Sequence, residues 1–268
     1  MAERFEAALS LQEAAALKTA DSAFLAGGTE INRLGSLVSP SVLISIRKIK
    51  ELKKLEVTED QVIIGAGCTF QEVLENEAVP EYIREACCFM GSRTKRNMAT
   101  IGGNISLCRD DSYLLPTLLA AGGMLSLMKE DGATEEICLE DYVSGRQEYE
   151  NRLILSVTVP GVFPFAGSVR HANTVESNAR LTLSLCIRDG KYRAAAGIKK
   201  AGLFVFPDLS EKLEMDPSLS EAELIAWAKE RELPISDDKI FGSAEYIRYL
   251  LGASFARLLR DYGKGGRT

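Results

Sequence analysis

Apolar residues recur at helical spacing near the N-terminus. Ala7, Ala8, Leu11, Ala14, Ala15 and Leu17 share one face of residues 6–19, which predicts an amphipathic helix. Asp21 and Ser22 end that pattern. Ala23-Phe24-Leu25-Ala26 then reads as a short buried strand running into Gly27-Gly28-Thr29, with Thr29 placed to cap a helix over Glu30–Gly35. Strands are predicted at Val42–Ile46, Leu55–Thr58 and Val62–Ala66, with a helical turn at Ile49–Leu52. Thr69, followed by Gln71-Glu72, predicts a capped helix from Phe70, and Pro80 opens another over Glu81–Cys88. Residues 91–103 are polar and glycine-bearing and read as irregular. Leu114–Ala121 is apolar around Pro116, and strands follow at Met124–Met128, Glu136–Leu139 and Leu153–Val159.

Pro160-Gly161-Val162-Phe163-Pro164 reads as a link into a second region. There, Leu181–Arg188 and Tyr192–Ile198 are strands joined by Asp189-Gly190, a strong hairpin signal. Ser220 and Glu223 form a capping-box pattern for a helix to Arg231, and Ser243–Tyr262 is a longer helix. The alternation of strands and helices predicts an α+β chain.

Composition narrows the function. A net charge of −6 argues against a surface built for nucleic acid. No apolar run reaches the roughly 18 residues of a membrane span, and the acids near the N-terminus do not suit a signal peptide. A cytoplasmic protein with no membrane partner is expected. The six cysteines match no zinc or ferredoxin spacing, and Cys87-Cys88 is adjacent rather than spaced for a cluster. They are expected to be buried free thiols, with no metal bound. His171 is the one histidine, so chemistry needing two is excluded. It is expected at the surface or in a hydrogen bond.

The candidate chemistry lies in two glycine-rich segments, Leu25-Ala26-Gly27-Gly28-Thr29-Glu30 and Ala99-Thr100-Ile101-Gly102-Gly103-Asn104-Ile105. Paired glycines permit positive φ and close approach of a ligand. Successive amides in such a turn make an anion nest suited to pyrophosphate. Thr29, Thr100 and Asn104 add short polar side chains. Other nucleotide motifs fail. Gly65-Ala66-Gly67-Cys68-Thr69-Phe70 has phenylalanine where a dinucleotide fingerprint needs its third glycine, and no P-loop or nucleophile elbow occurs.

LAGGTE, IGAGCTFQEV and RNMATIGGNI, in that order and spacing, resemble the FAD-binding subunits of molybdenum hydroxylases, the group of xanthine dehydrogenase and aerobic carbon monoxide dehydrogenase. The resemblance runs over nearly the whole chain and is strongest over 24–128. It implies a two-lobed FAD-binding fold of the vanillyl-alcohol-oxidase/PCMH type with a C-terminal α/β domain of antiparallel sheet and helices. Lobe 1 would be 1–57, lobe 2 58–162 and the C-terminal domain 163–268. It implies that Ala26, Gly27, Gly28, Thr29 and Glu30 hold the FAD pyrophosphate, that Thr100, Gly102, Gly103 and Asn104 contact phosphates, ribityl chain or ring, and that Leu25 and Ile101 also belong to the cofactor-binding set. Arg96 either offsets pyrophosphate charge or is a surface arginine. Tyr113 stands where the family carries an aspartate before Pro116. Asp110 or Asp111 would replace that contact or be solvated turn acids, and Tyr113 would pack near the flavin. Arg170, Asn178 and Arg180 would face the flavin or an acceptor, or be surface groups.

The resemblance further implies an oxidoreductase subunit with no catalytic acid, base or nucleophile of its own. Electrons would arrive from a molybdopterin-binding large subunit through a [2Fe–2S] small subunit and leave to NAD, quinone or oxygen. Two alternatives are a self-contained FAD oxidoreductase on the same fold and a nucleotide-binding module without redox activity.

Overall fold

A computed structural model describes residues 4–31 and 40–265. In chain order the first elements are β1 (Arg4–Ala7), α1 (Leu11–Leu17), β2 (Ser22–Leu25), β3 (Val42–Ser45), a 3₁₀ turn at Lys50–Lys53, β4 (Leu55–Val57) and β5 (Gln61–Gly65). Next come α2 (Phe70–Glu75), α3 (Glu81–Cys88), α4 (Arg93–Met98), α5 (Ile101–Leu107), α6 (Leu115–Ala120), β6 (Met124–Met128), β7 (Thr134–Cys138) and α7 (Leu139–Ser144). A 3₁₀ turn at Arg146–Tyr149 leads to β8 (Leu153–Pro160), β9 (Phe165–His171), β10 (Leu181–Arg188), β11 (Lys191–Ile198) and β12 (Gly202–Val205). The last elements are α8 (Pro207–Met215), α9 (Glu221–Glu230) and α10 (Ala244–Gly265).

The chain forms two compact units. One comprises Met1–Pro80, Ser92–Leu107 and Gly123–Gly161; the other comprises Glu81–Gly91, Cys108–Gly122 and Val162–Thr268.

The first unit holds two sheets. β1, β3 and β2 make a parallel sheet in the order β1-β3-β2, and β4, β5, β8, β6 and β7 make an antiparallel sheet in the order β4-β5-β8-β6-β7. Val62, Ile64, Leu125, Leu127 and Val157 are fully buried on the larger sheet, so its apolar positions build the core. The expected helix over 6–19 is shorter than its alanine spacing suggests. Ser10 Oγ accepts the Glu13 amide at 3.1 Å and Glu13 Oε2 accepts the Leu9 amide at 2.7 Å. This cap starts α1 at Leu11 and leaves residues 4–7 extended, free to pair with β3. The helix expected over 30–35 lies largely outside the described residues, and Thr29-Glu30-Ile31 form a turn. The Thr69 capping box is present, with Glu72 as its partner.

In the second unit β9–β12 form an antiparallel sheet in the order β12-β11-β10-β9. Asp189 (φ 52°) and Gly190 (φ 72°) make the tight turn of the β10–β11 hairpin. Leu181, Leu183, Leu185 and Ile187 project from one face of β10 into a core with Leu209, Trp227 and Phe255 of the C-terminal helices. Phe206 packs edge-on to Trp227 at 5.2 Å and to Phe255 at 6.0 Å. On the opposite face Thr117 Oγ1 of α6 meets Ser168 and Ser184 at 2.9 and 3.0 Å.

His171, half-buried at the end of β9, bonds through Nε2 to Ser254 Oγ of α10 at 2.7 Å. Burial, with repulsion from Arg257, holds its pKa below the ordinary value. As pH falls, the unfolded chain therefore protonates this histidine first. Stability present above about pH 6.5 is lost as pH drops towards the folded pKa. Unfolding free energy measured from about pH 7 downward should show this slope, and His171→Gln should flatten it; the same slope in the variant would refute the assignment.

Candidate functional site

The three sequence motifs meet within the first unit. The segment after β5 acts as a receiver. Ala66 O accepts the Gly102 amide and Cys68 O accepts the Ile101 amide, each at 2.9 Å, while the Phe70 amide donates to Ala99 O at 3.0 Å. Thr69 and Thr100 form an isolated antiparallel bridge. A Cβ on Gly102 would lie 2.5 Å from Ala66 Cβ and 3.0 Å from its Cα, so the close packing itself demands glycine there. On the other side, a Cβ on Gly27 would overlap the Met98 carbonyl, so the turn after β2 lies directly against the end of α4.

This arrangement corrects two expectations. Residues 91–103 are not irregular; they form α4 and the first turn of α5, with Ser92 capping α4 through the Lys95 amide. The second glycine pair is not an anion nest. Neither Gly102 nor Gly103 has positive φ, and the amides of Ile101, Gly102 and Gly103 are taken by Cys68 O, Ala66 O and Thr100 Oγ1. Gly103 plays a different part. A Cβ there would meet only Thr100 Oγ1, at 2.8 Å, and otherwise open space.

The first turn keeps its donors. Gly28 has φ +72°, and the amides of Gly27, Gly28 and Thr29 face no protein acceptor among the described residues. Leu25 is held in the β2–β3 ladder, and its carbonyl accepts the Ile46 amide at 3.1 Å. Ala26 and Gly27 line a cavity of about 370 Å³ together with Thr100, Thr69, Arg47 and Lys53. Arg47 and Lys53 carried no motif in the sequence, whereas Gln71, which also lines the cavity, belongs to the IGAGCTFQEV motif. Arg96, half-buried, donates from Nε to Gln71 Oε1 at 2.8 Å and Gln71 Nε2 donates to Glu75 at 2.7 Å, so Arg96 is not simply a surface group.

Asp111 and Tyr113 belong to the other unit and do not line this cavity. Asp111 is not a solvated turn acid. It is 5% exposed, bound by both arms of Arg109 at 2.7 and 2.8 Å and by Asn178 Nδ2 at 2.9 Å. Asp110 accepts the Lys200 amide at 2.6 Å. Tyr113 is buried under Arg170 at 5.4 Å; burial pushes its phenol up against the opposing pull of that guanidinium. Arg170 also fastens the β9–β10 connection through the carbonyls of Thr174 and Ser177. Arg180, 2% exposed, holds the carbonyls of Lys199 and Ser236 at 3.0 and 2.9 Å, which excludes the surface alternative for it.

A model of the FAD binding domain in molybdopterin dehydrogenases matches residues 2–162. The chain belongs to this family. Its cofactor is FAD, and it is an oxidoreductase subunit. Relatives of this flavoprotein include the Escherichia coli K12 protein YgfM, 26% identical over 99% of this chain and 98% of that one. A nicotinate dehydrogenase FAD-subunit from Eubacterium barkeri is 33% identical over 53% of this chain and 50% of its own. A carbon monoxide dehydrogenase chain from Hydrogenophaga pseudoflava shares the fold, with a TM-score of 0.85 at 18% identity over 99% of this flavoprotein and 98% of that chain. The α+β fold expected from the sequence is thereby established for the whole chain.

The residues of the first unit fit FAD. Unsatisfied amides on a positive-φ turn suit a diphosphate, and the bare direction at Gly103 leaves room beside Thr100 for a ligand. Among the described residues no group of side chains is arranged to hold a metal.

The two glycines of α5 should respond differently. Gly102→Ala forces backbone against Ala66 and should cost about 1–3 kcal/mol. Gly103→Ala meets only a hydroxyl and gains helix propensity, so it should stay within about 1 kcal/mol of the parent. Chemical denaturation of both variants checks this; equal losses would contradict the contrast.

Proposed function

We propose that this flavoprotein is the electron-transfer subunit of a molybdenum-containing hydroxylase, binding FAD at the cavity of the first unit. The observation that carries the proposal is the turn Gly27-Gly28-Thr29, whose amides are unspent and which lies beside Thr100. In this reading the turn amides hold the diphosphate, with Leu25, Ala26 and Glu30 fixing the turn's position. Thr100, Ile101, Gly102 and Asn104 form the wall beside Gly103, which leaves room for the ligand. The division into lobes at 1–57 and 58–162 and a C-terminal domain at 163–268 belongs to the same proposal.

FAD, when bound, exchanges electrons singly or in pairs and so joins one-electron carriers to a two-electron acceptor. Electrons reach this subunit from a [2Fe–2S] small subunit, supplied by a molybdopterin-binding large subunit, and leave to NAD, with quinone or oxygen as the other acceptors. The complex works in the cytoplasm. Among the described residues no helix is long and apolar enough to cross a membrane. The name of the nicotinate dehydrogenase relative, an FAD-subunit, supports a division of labour among chains.

The purified chain should be yellow, and heat should release FAD at about one per chain. Gly103→Leu, which places bulk in the open direction, should weaken FAD affinity by at least about tenfold with the far-ultraviolet circular dichroism kept. A folded, colourless parent protein that takes up no added FAD would overturn the proposal.

A further inference from the structure

The charged side chains around the cavity are unequally committed. Lys53 Nζ lies 2.8 and 2.9 Å from the two carboxylate oxygens of Glu72. Glu75 accepts from Gln71 at 2.7 Å and from Arg93 at 3.0 Å. Arg96, the cation that the sequence offered for the diphosphate, is turned to Gln71 and does not line the cavity. Arg47 does line it, is exposed, and has no carboxylate or carbonyl partner among the described residues. It lies two residues after β3, next to Ile46, whose amide bonds to Leu25 O two residues before the Gly27–Thr29 turn.

The balance of charge makes this one side chain decisive. Two cations, Arg47 and Lys53, and two carboxylates, Glu72 and Glu75, line the cavity. The lining is neutral with Arg47 and carries one net negative charge without it. A diphosphate brings further negative charge into that setting. The amides of the Gly27–Thr29 turn supply directed hydrogen bonds but no net charge, so the uncommitted Arg47 guanidinium is the group able to offset the ligand.

We infer that Arg47 is the specificity-determining cation of this site: it pairs with the diphosphate and makes the cavity select a flavin dinucleotide over flavins lacking that group. The inference rests on FAD occupying this cavity. The expected size follows from a hydrogen bond to a charged group, about tenfold or more in dissociation constant. Riboflavin, with no phosphate, should gain nothing from Arg47.

The test is fluorescence-quenching titration of the apoprotein with FAD, FMN and riboflavin, for the parent, Arg47→Lys, Arg47→Gln and Arg47→Glu, at two salt concentrations. Arg47 is exposed and unpaired, so these variants should keep the parent's melting temperature. The expected result is FAD affinity falling from parent through Lys and Gln to Glu, by about tenfold or more at Gln, with a weaker salt dependence in Gln and no change for riboflavin. A parent that binds FAD, with Gln and Glu variants binding it equally well, would overturn the role of Arg47 and leave the site standing. A parent that binds no FAD would overturn the site itself. An equal loss for all three flavins would assign Arg47 to general shape rather than to the diphosphate, and would also refute the inference.

Discussion

The carbonyls of Ala66 and Cys68 receive the amides of Gly102 and Ile101 at 2.9 Å, and the rest of the first unit's site is arranged around that joint. It fixes where α5 begins. It also consumes the amides that a glycine pair would otherwise offer to an anion. Buried amides need partners, and here the backbone between β5 and α2 provides them. Gly102 is bare because Ala66 leaves no room for a side chain. Met98, just upstream, is then set where its carbonyl abuts Gly27. The two glycine segments are thus neighbours with unlike duties: one is a packing surface, the other keeps its donors free.

That difference marks the border of what the sequence makes legible. Both segments look alike as strings of residues, and both read as turns. Only the pairing of residues 99–102 with the 66–70 stretch separates them, and that pairing is long-range. The same limit explains β1. The helical spacing of residues 6–19 reaches back into its Glu6-Ala7, but the Ser10–Glu13 cap and the partner strand β3 decide otherwise. Features written in short windows were readable: the Thr69 and Ser220 capping boxes and the Asp189-Gly190 turn each need only four residues or fewer. Arg180 shows the opposite case. Nothing local marks it for burial, because its acceptors are the carbonyls of Lys199 and Ser236. Arg47 was invisible for a related reason: a cation's lack of a partner is a property of the folded surroundings.

In the second unit, polar groups at similar positions are spent on structure. Arg109, Asp111 and Asn178 satisfy one another, and Arg170 divides itself between the Tyr113 ring and the carbonyls of Thr174 and Ser177. A buried network of this kind holds its members in one arrangement, because leaving any one unpaired is costly. Asp111, two residues before Tyr113, is thus committed to Arg109 and Asn178. In the first unit, Gly27 of the turn and Arg47 line one cavity.

Amide hydrogen exchange, read by mass spectrometry with and without FAD, tests the assignment of donors most directly. Without FAD, residues 27–29 should exchange fast, while the amides of Ile101–Gly103, already bonded to Cys68, Ala66 and Thr100, should exchange slowly. With FAD, exchange at 27–29 should slow markedly and that at 101–103 should change little. FAD binding that leaves residues 27–29 exchanging at their free rate would contradict the placement of the diphosphate on that turn.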